Sequence, residues 1–401
     1  MKGILVGLNG YRDDEEWNVS LEELYNLCTA CNLDITETII QNGEPVKPTF
    51  VGKGKVQEIK KMITDEDVVV FNHELTPMQI KNLEDVLGIE VIDRTDLILH
   101  IFESRAGSKE AKLQVEIAKL NYELPRLAGM HTEIYSQQGG SGFRGAGETK
   151  LELDRRHIRH RITKAKKELA KVVKNRQTQR KRRIRQGRKV VALVGYTNAG
   201  KSSLLNYFTD KKVYEEDMLF ATLETSTREV VIQGRSILMS DTVGFISELP
   251  HHLVDAFRST LEEVKEADLI LQVIDSSSKY AARQMSVTKQ VLKELGANHI
   301  PMIYVYNKID RGCIDLTVPD DPHVFVSIKE GTGMKELEDQ IIHTLYQSDI
   351  RLYLHIPYEE GELYKKLIQD TKVIKEEFND KEISLIIEAP QYYKDLYKDY
   401  L

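Results

Sequence analysis

The sequence predicts an α/β protein built from several successive parts, and three observations lead to that fold class. Residues 190–205 read as a buried strand, a turn containing glycine and the start of a helix. Residues 1–107 alternate short β-rich runs with helical stretches, which is typical of a small parallel sheet with helices across it. Residues 108–188 carry two apolar stripes at helical spacing, so we expect an antiparallel helical hairpin there.

Composition limits the class of protein. Hydrophobic residues make up 41% of the chain and charged residues 30%, as in a soluble globular protein. The longest apolar runs are only strand-sized, so we expect no membrane insertion. The start, MKGILVGLNG, has too short an apolar stretch for a signal peptide, and three cysteines fit a reducing compartment. We therefore expect a cytoplasmic protein, and a monomer.

The N-terminal domain, residues 1–107, contains the pair Cys28 and Cys31. They lie one turn apart in a predicted helix, which we expect Ser20 and Glu23 to open as a capping box. No second pair of ligands accompanies the two cysteines, so a buried helix face is favoured over a metal or redox site. The β-rich runs of this domain are Ile4–Leu8, Ile35–Ile40, Val68–Phe71 and Val91–Asp93, and its helical stretches are Leu21–Asn32, Lys55–Ile63 and Thr76–Leu87.

The hairpin, residues 108–188, is predicted from apolar residues spaced three and four apart. They are Leu113, Ile117, Leu120 and Leu124 in the first helix, and Ile158, Ile162, Ala165, Leu169 and Val172 in the second. Pro125 and a glycine-rich loop, Gly139 to Glu148, are expected to separate the helices, because such a loop is poor in helix formers. Arg144 and bare backbone amides of this loop could bind an anionic surface, or the loop could be a solvated connection.

The second helix is strongly basic. From Lys150 to Lys189 there are eighteen Lys and Arg against three Asp and Glu, a net charge of +15, whereas the whole chain carries −7. An ordinary mixed-charge helix would be a solvated surface, but this imbalance is one-sided. A basic rod on an acidic body is the electrostatic signature of nucleic-acid binding, so we expect contact with RNA.

The turn at residues 195–202 has the pattern G-x-x-x-x-G-K-S directly after a strand. Gly195 and Gly200 allow the backbone to wrap so that amide groups face a phosphate chain at the positive end of a helix. We expect Lys201 to contact the β- and γ-phosphates and Ser202 to bind the Mg²⁺ that bridges them. The alternative is a chance glycine turn, which the following motifs make less tenable.

Further motifs follow in order within residues 189–348, the predicted nucleotide-binding domain. Thr222, between the loop and the next strands, is a candidate second Mg²⁺ ligand, and Asp241 a candidate for holding the ion through water. The amide of Gly244 is placed to meet the γ-phosphate. Asp310 ends the string NKID, and its carboxylate can accept a pair of hydrogen bonds from guanine, which adenine does not offer. These motifs predict that GTP is bound and hydrolysed to GDP.

The candidate catalytic residues are Lys201, Thr222 and Gly244, and the candidate metal ligands are Ser202 and Thr222. The candidate nucleotide-binding residues form five short segments of this domain. They are Gly195, Tyr196, Thr197, Asn198, Ala199, Gly200, Lys201 and Ser202; Phe220, Ala221, Thr222, Leu223 and Glu224; Asp241, Thr242, Val243 and Gly244; Asn307, Lys308, Ile309 and Asp310; and Ser327 and Ile328.

The order of these parts resembles the HflX family of ribosome-associated GTPases. The resemblance rests on the N-terminal α/β domain, the string GGSGFRGAGETKLELDRR, the basic helix, and GYTNAGKS, FATLE, DTVGF and NKID. It covers residues 1 to about 348 well and the remainder less surely. This chain has FRGAGETKLEL where the family often has TRGPGETQLET, and Ser327-Ile328 where Ser-Ala is usual.

The resemblance implies binding to the large ribosomal subunit and its rRNA, with GTP binding and hydrolysis coupled to ribosome splitting or rescue under stress or antibiotic exposure. A GTP-dependent factor in ribosome assembly or RNA modification is the alternative, and a non-ribosomal signalling switch is a third reading. Asn198 resembles the asparagine of potassium-stimulated GTPases, so K⁺ is a candidate cofactor. Phe245 follows Gly244 where Ras-like enzymes have glutamine, and a phenyl ring cannot orient water, so intrinsic turnover should be slow.

The last part, residues 349–401, is predicted to be a small α+β domain. Arg351–Ile356 and Ser384–Glu388 read as strands and Glu362–Gln369 as a helix. The tail is rich in tyrosine, which suggests an aromatic surface for packing or for a partner. No catalytic constellation appears there.

Overall fold

The computed structural model describes residues 1–10, 13–130, 144–184, 188–209, 220, 226–242, 244–246, 262–312 and 320–401. The chain divides into two compact units. The first comprises Met1–Asn175 with two short later segments, Glu216–Glu224 and Val243–Thr260. The second comprises Arg176–Glu215, Thr225–Thr242 and Leu261–Leu401. The four-part division made from the sequence stays a prediction alongside these two units.

The first unit begins with a four-stranded sheet, as predicted. Its strands pair in the order β2-β1-β3-β4, and all the pairs are parallel. Strand β3 is buried along its whole length, as expected for an apolar strand with helices on both faces of the sheet. The strands are β1 (Lys2–Asn9), β2 (Asp34–Asn42), β3 (Val68–Phe71) and β4 (Glu90–Asp93).

Helices connect these strands and continue beyond them. They are α1 (Asp14–Ala30), α2 (Lys53–Met62), α3 (Pro77–Leu87) and α4 (Arg94–Arg105). The sequence did not predict α4, which follows β4 directly and starts where the Asp93 side chain accepts a hydrogen bond from the Asp96 amide. A capping box does occur in this domain, at Thr76 and Gln79 of α3.

The predicted capping box at Ser20 and Glu23 is wrong. Helix α1 begins six residues earlier, at Asp14, so both residues lie inside the helix and are buried. Their side chains instead meet a buried arginine: Arg94 donates to the Ser20 hydroxyl at 3.3 Å and forms an ion pair with Glu23. A serine followed three residues later by a glutamate occurs both in capping boxes and as a polar pair on one face of a helix. Here the contacts with Arg94 place the two residues on a buried helix face.

Cys28 lies on the buried face of α1, as expected, and Cys31 caps the end of that helix. Both cysteines are free thiols. Burial raises the pKa of Cys28 to about 12, so its reactive thiolate form is disfavoured. The interpretation as a packed helix face is therefore confirmed for Cys28, whereas Cys31 lies just beyond the helix and is only partly buried.

Two long helices, α5 (Lys109–Met130) and α6 (Arg144–Ile184), form the predicted pair. Leu113 and Ile117 pack against Ala165, Leu169 and Val172. The order of contacts is antiparallel, because Lys109 at the start of α5 pairs with Glu168 and Glu116 pairs with Arg161, earlier in α6. The stripe pattern therefore identified the correct faces.

The ends of these helices differ from the prediction. Helix α5 continues through Pro125 to Met130, and α6 begins at Arg144, within the segment predicted as loop. Glycine in a helix costs only about 1 kcal/mol relative to alanine, which a helix of 41 residues can absorb at its first turn. The part of the predicted loop before Arg144 lies outside the described residues.

The second unit contains a six-stranded sheet in the order β10-β9-β8-β5-β7-β6. Within this sheet, β6 and β7 pair antiparallel, and the other described pairs are parallel. The strands are β5 (Val190–Gly195), β6 (Ser226–Ile232), β7 (Arg235–Asp241), β8 (Leu269–Asp275), β9 (Met302–Asn307) and β10 (His323–Phe325). The helices of this domain are α7 (Lys201–Phe208), α8 (Ala281–Glu294) and α9 (Met334–Tyr346), with short 3₁₀ segments at Glu262–Glu266 and Ile309–Arg311.

The chain ends in a small α+β domain, as predicted. Its antiparallel sheet has the order β11-β13-β12, and the sequence did not predict β12. The elements are β11 (Asp349–Pro357), α10 (Gly361–Asp370), β12 (Lys372–Phe378), β13 (Glu382–Pro390) and α11 (Tyr392–Leu396), with 3₁₀ segments at Tyr358–Glu360 and Lys398–Tyr400. Tyr393 and Tyr397 of the tyrosine-rich tail are buried in its core, whereas Tyr392 is exposed.

Candidate nucleotide-binding site

The glycine turn lies at the carboxyl end of β5, where parallel α/β sheets bind their ligands. Gly195 has φ +147°, and a Cβ there would lie 2.2 Å from the carbonyl oxygen of Val273. Gly200 has φ +101°, and a Cβ there would lie 2.2 Å from Nδ2 of Asn307. Both positions therefore require glycine, and α7 begins directly after the second one.

Lys201 and Ser202 open α7 at the end of this turn. The Lys201 ammonium is buried and donates to the Tyr196 carbonyl at 2.7 Å, so it is folded back over the loop. Burial lowers the pKa of Lys201 to about 8, partly countered by the charge of Asp241. An anionic phosphate chain in the loop would favour the charged ammonium, and this is the interaction for which such a lysine is suited.

The Ser202 hydroxyl donates to the Asp241 carboxylate at 2.7 Å. Asp241 ends β7 and is almost fully buried. A hydroxyl and a carboxylate oxygen side by side are the hard oxygen donors that Mg²⁺ takes, so these two residues fit the expected ion. Thr242 continues the strand end and donates to the Leu193 carbonyl of β5, which fixes this segment to the neighbouring strand.

The NKID string lies at the end of β9 and holds the phosphate loop. Asn307 donates to the Ala199 carbonyl at 2.9 Å, and Lys308 donates to the Asn198 carbonyl at 2.7 Å. Lys308 also forms an ion pair with Asp275 at 2.8 Å. The side chains of Asn307 and Lys308 therefore bind the loop itself, whereas Asp310 is exposed.

Asp310 is oriented by a second residue that the sequence had placed near the base. The Ser327 hydroxyl donates to the Asp310 carboxylate at 2.7 Å, and this hydrogen bond lowers the pKa of Asp310 below its ordinary value. The carboxylate is thus kept ionised as an acceptor. The Ile328 amide donates to Asn307 at 3.3 Å and ties the two segments together.

Sequence reasoning missed Asp275, which ends β8 and holds Lys308. Its signal was an aspartate at the end of an apolar strand, the same signal that identified Asp241. The sequence does not reveal the ion pair, because Lys308 lies 33 positions further along the chain. Contacts of this kind become visible only when β8 and β9 are side by side.

Two segments of the predicted site, residues 220–224 and 241–244, are described only in part. Five of the predicted site residues lie outside the described part of the chain: Ala221, Thr222, Leu223, Glu224 and Val243. Phe220 is described, and its side chain is buried beside Phe102 in the first compact unit. Phe245 is also buried, at 6% exposed. The candidate site residues stay predictions where no contact is described.

The six-stranded sheet, the glycine loop and the NKID segment together define a P-loop nucleotide-binding domain of the GTPase class. Comparison with known proteins agrees part by part. Residues 18–103 match the family model "GTP-binding GTPase N-terminal", residues 105–183 "GTP-binding GTPase Middle Region", and residues 190–308 "50S ribosome-binding GTPase".

Curated relatives match along nearly the whole chain. "GTPase HflX" of Caldanaerobacter subterraneus is 44% identical over 100% of this chain and 94% of its own. The proteins of the same name from Alkalihalophilus pseudofirmus and Escherichia coli are 44% and 39% identical, over 96% and 92% of this chain and 92% and 89% of their own lengths. The chain belongs to the HflX family of GTPases, and it hydrolyses GTP. In the described part of the chain, no helix is long and apolar enough to cross a membrane.

Proposed function

We propose that this GTPase binds the large ribosomal subunit through its rRNA and couples GTP binding and hydrolysis to ribosome splitting or rescue. The observation that carries the proposal is the basic helix α6, held on α5 along one apolar face. The family description "50S ribosome-binding GTPase" for residues 190–308 supports the same partner.

The exposed side of α6 supports an RNA contact. The described Lys and Arg side chains that are exposed on this helix are Arg156, Arg159, Arg161, Lys164, Lys166, Lys167, Lys171 and Lys174. At about 1.5 Å per residue, a helix of 41 residues extends for about 60 Å, so it can follow the backbone of a long RNA surface. Phosphate contacts of this kind provide affinity and position without reading sequence.

The reaction follows from the loop geometry. When bound, Mg²⁺ neutralises charge that develops on the transferred phosphoryl oxygens. Ser202 and Asp241 supply oxygens that would hold it, with Thr222 proposed as a further ligand. Lys201 adds a positive charge beside the phosphates, and the glycine loop would supply backbone amides as hydrogen-bond donors. Phe245 cannot orient water, so the proposal includes slow intrinsic turnover that a partner accelerates; K⁺ held with Asn198 stays a prediction.

Sedimentation of intact ribosomes through sucrose tests the proposal. With a non-hydrolysable GTP analogue, the protein should move to the 50S fraction and convert 70S particles to subunits, whereas GDP should not produce this. The variant Lys201→Ala serves as the control, because it should bind nucleotide poorly and leave 70S particles intact. Binding only to incomplete 50S precursors would favour the assembly factor instead, and absence from every ribosomal fraction would contradict both functions.

A further inference from the structure

Strand β8 lies between the two strands that carry the glycine loop and the NKID string. On one side it pairs with β5, where Gly195 lies beside Val273, and on the other with β9, where Asn307 lies beside Asp275. Asp275 is the last residue of β8, so it lies at the carboxyl edge of the sheet. This is the edge at which parallel α/β sheets bind their ligands.

Both oxygens of the Asp275 carboxylate are in use. Oδ2 forms the ion pair with Lys308 at 2.8 Å, and the side chains of Lys308 and Asp275 are only 14% and 20% exposed. Oδ1 accepts from the amide and the hydroxyl of Ser277, at 3.0 and 2.6 Å. An aspartate that binds its own chain two residues further on is held in one orientation. Asp275 is therefore a fixed counter-ion for Lys308.

Lys308 connects this counter-ion to the glycine loop. Its ammonium also donates to the Asn198 carbonyl at 2.7 Å, so one group bridges a carboxylate of β8 and the backbone of the loop. Both residues have unusual backbone angles, since Lys308 has φ +67° and Asn198 has φ +60°. Residues other than glycine rarely adopt this left-handed region, which persists where surrounding contacts over-determine it. The bridge from Asp275 through Lys308 is such a contact.

The bridge also fixes the direction of one peptide group of the loop. In a planar trans peptide the carbonyl and the following amide point in opposite directions. Lys308 holds the Asn198 carbonyl, so the amide of Ala199 points the other way, toward the Tyr196 carbonyl at 3.4 Å. The same Tyr196 carbonyl accepts from the buried Lys201 ammonium at 2.7 Å. A change at Lys308 is thus transmitted to the turn that holds Lys201.

A second aspartate–lysine pair on the same strand lies at the opposite edge of the sheet. Asp268 directly precedes β8 and contacts Lys189 at 3.0 Å, and its other oxygen accepts from the Val190 amide at 2.8 Å. A strand of seven residues separates it from the carboxyl edge, a distance of about 23 Å. The two pairs share their chemistry and differ in their distance from the glycine loop.

We propose that Asp275 is a positioning residue that sets how long the nucleotide stays bound, by holding Lys308 on the glycine loop. It acts through Lys308 and the loop backbone, without a contact of its own with the nucleotide. This role concerns retention of GDP and GTP and does not depend on the ribosome as partner. Charge alone would act in the opposite sense, because a carboxylate repels an anionic ligand and its neutralisation favours binding. Weaker retention after loss of this charge is therefore a specific consequence of positioning.

Dissociation of GDP that carries an N-methylanthraniloyl label, measured on the full chain with an excess of unlabelled GDP, tests the proposal. Asp275→Asn keeps the size of the side chain and removes its charge, so Lys308 loses its counter-ion. The dissociation rate should rise about tenfold or more, as expected for the loss of a hydrogen bond between charged groups. Ser277→Ala keeps the ion pair and removes one hydrogen bond to the carboxylate, so it should raise the rate by about two- to fivefold.

The partner residue supplies a second measurement. Lys308→Met keeps the apolar part of the side chain and should release GDP at least as fast as Asp275→Asn. The double variant should be no faster than Lys308→Met alone, because the two changes remove the same interaction.

Asp268→Asn is the matched control, because it breaks the equivalent pair at the distant edge of the sheet. It should release GDP within about twofold of the rate of the unaltered protein, since distant sites that share no contacts act independently. The proposal is overturned if Asp275→Asn releases GDP at the unaltered rate or more slowly, if Asp268→Asn releases it equally fast, or if the effects of Asp275→Asn and Lys308→Met multiply in the double variant. Should Asp275→Asn fail to fold, an unaltered rate in Ser277→Ala overturns it as well.

Discussion

At the scale of single residues, the site depends on side chains that hold other groups in place. Asn307 and Lys308 bind carbonyls of the glycine loop, Ser327 binds Asp310, and Asp275 binds Lys308. The loop is therefore held by side chains at the neighbouring strand ends. Preorganisation of this kind lowers the cost of binding, because the loop need not be ordered by the ligand.

The role of Asp310 leads to a prediction about base choice. Asp310→Asn replaces an acceptor of two hydrogen bonds by a group that also donates, so GTP affinity should fall by about a hundredfold or more while xanthosine triphosphate binds better. Competition binding with both nucleotides measures this. Ser327→Ala is the matched control, which should weaken GTP binding without reversing the preference for guanine over xanthine. Unchanged GTP affinity in Asp310→Asn would contradict the assignment of NKID.

At the scale of elements, the helix pair combines a strong local pattern with a strong charge. The stripes on α5 and α6 identify the packed faces, and the remaining face of α6 is left for lysine and arginine. The ion pairs between the two helices are mostly exposed, so they add little to stability. Apolar packing holds α6 on α5, and the basic face of α6 stays available for binding.

Replacing Arg180, Lys181, Arg182 and Arg183 by Gln should weaken ribosome binding and flatten its salt dependence. Each lost phosphate contact should reduce the slope of log binding constant against log salt concentration by about 0.7–0.9. The reason is that fewer condensed counterions are released from the RNA on binding. Basal GTP hydrolysis should hardly change. The control variant changes four exposed lysines of the C-terminal domain, Lys365, Lys366, Lys394 and Lys398, and should bind normally. If the fourfold Gln variant keeps the wild-type salt dependence of ribosome binding, this part of the helix does not contact rRNA phosphates.

Another element-level contact joins the GTPase sheet to the C-terminal sheet within the second unit. Arg235 of β7 is nearly buried and forms ion pairs with Asp349 of β11 at 2.7 Å and Glu388 of β13 at 3.3 Å. Its guanidinium also lies 3.8 Å from the ring centroid of Tyr346. Removing one partner of a buried pair leaves an uncompensated charge, which costs about 3–5 kcal/mol.

Arg235→Met should therefore loosen the C-terminal domain. Hydrogen exchange should accelerate in β11 and β13, while the glycine loop keeps its protection. Combining Arg235→Met with Asp349→Leu should recover part of the protection, because the unpaired carboxylate is removed as well. Equal exchange in Arg235→Met and in the unaltered protein would show that this ion pair does not hold the domain.

At the scale of the whole molecule, binding of RNA and GTP hydrolysis must be coupled if the proposed function is correct. Coupling between two binding sites is reciprocal, so the GTP state should favour ribosome docking as strongly as docking favours GTP. The sequence suggested a route from α6 into β5, directly before the glycine loop.

Deleting Gly139 to Gly147 should abolish acceleration of GTP hydrolysis by the large subunit and spare the basal rate. The reason is that the proposed ribosome-contacting glycine-rich segment is removed while the glycine loop of the nucleotide site is untouched. Single-turnover hydrolysis with and without large subunits measures the effect. If the deletion variant is stimulated as strongly as the intact chain, the glycine-rich segment does not transmit ribosome binding to the nucleotide site.

The sequence by itself determined the contiguous features of this protein. The glycine loop, the strands β3, β5 and β9 and the apolar stripes of the helix pair depend on residues within one turn or one strand, where local geometry dictates the pattern. The predicted Mg²⁺ partners Ser202 and Asp241 are brought together because both follow neighbouring parallel strands. Sheet order makes such pairs foreseeable.

Only the tertiary structure decided the contacts between distant segments. Ser20 and Glu23 look like a helix start but face Arg94, more than 70 positions away. Phe220 stands in a nucleotide-binding motif but places its ring against Phe102. Arg235 finds Asp349 and Glu388 in another domain. In each case a local pattern admits two environments, and the burial of a charge or a ring against a partner from far along the chain selects one of them.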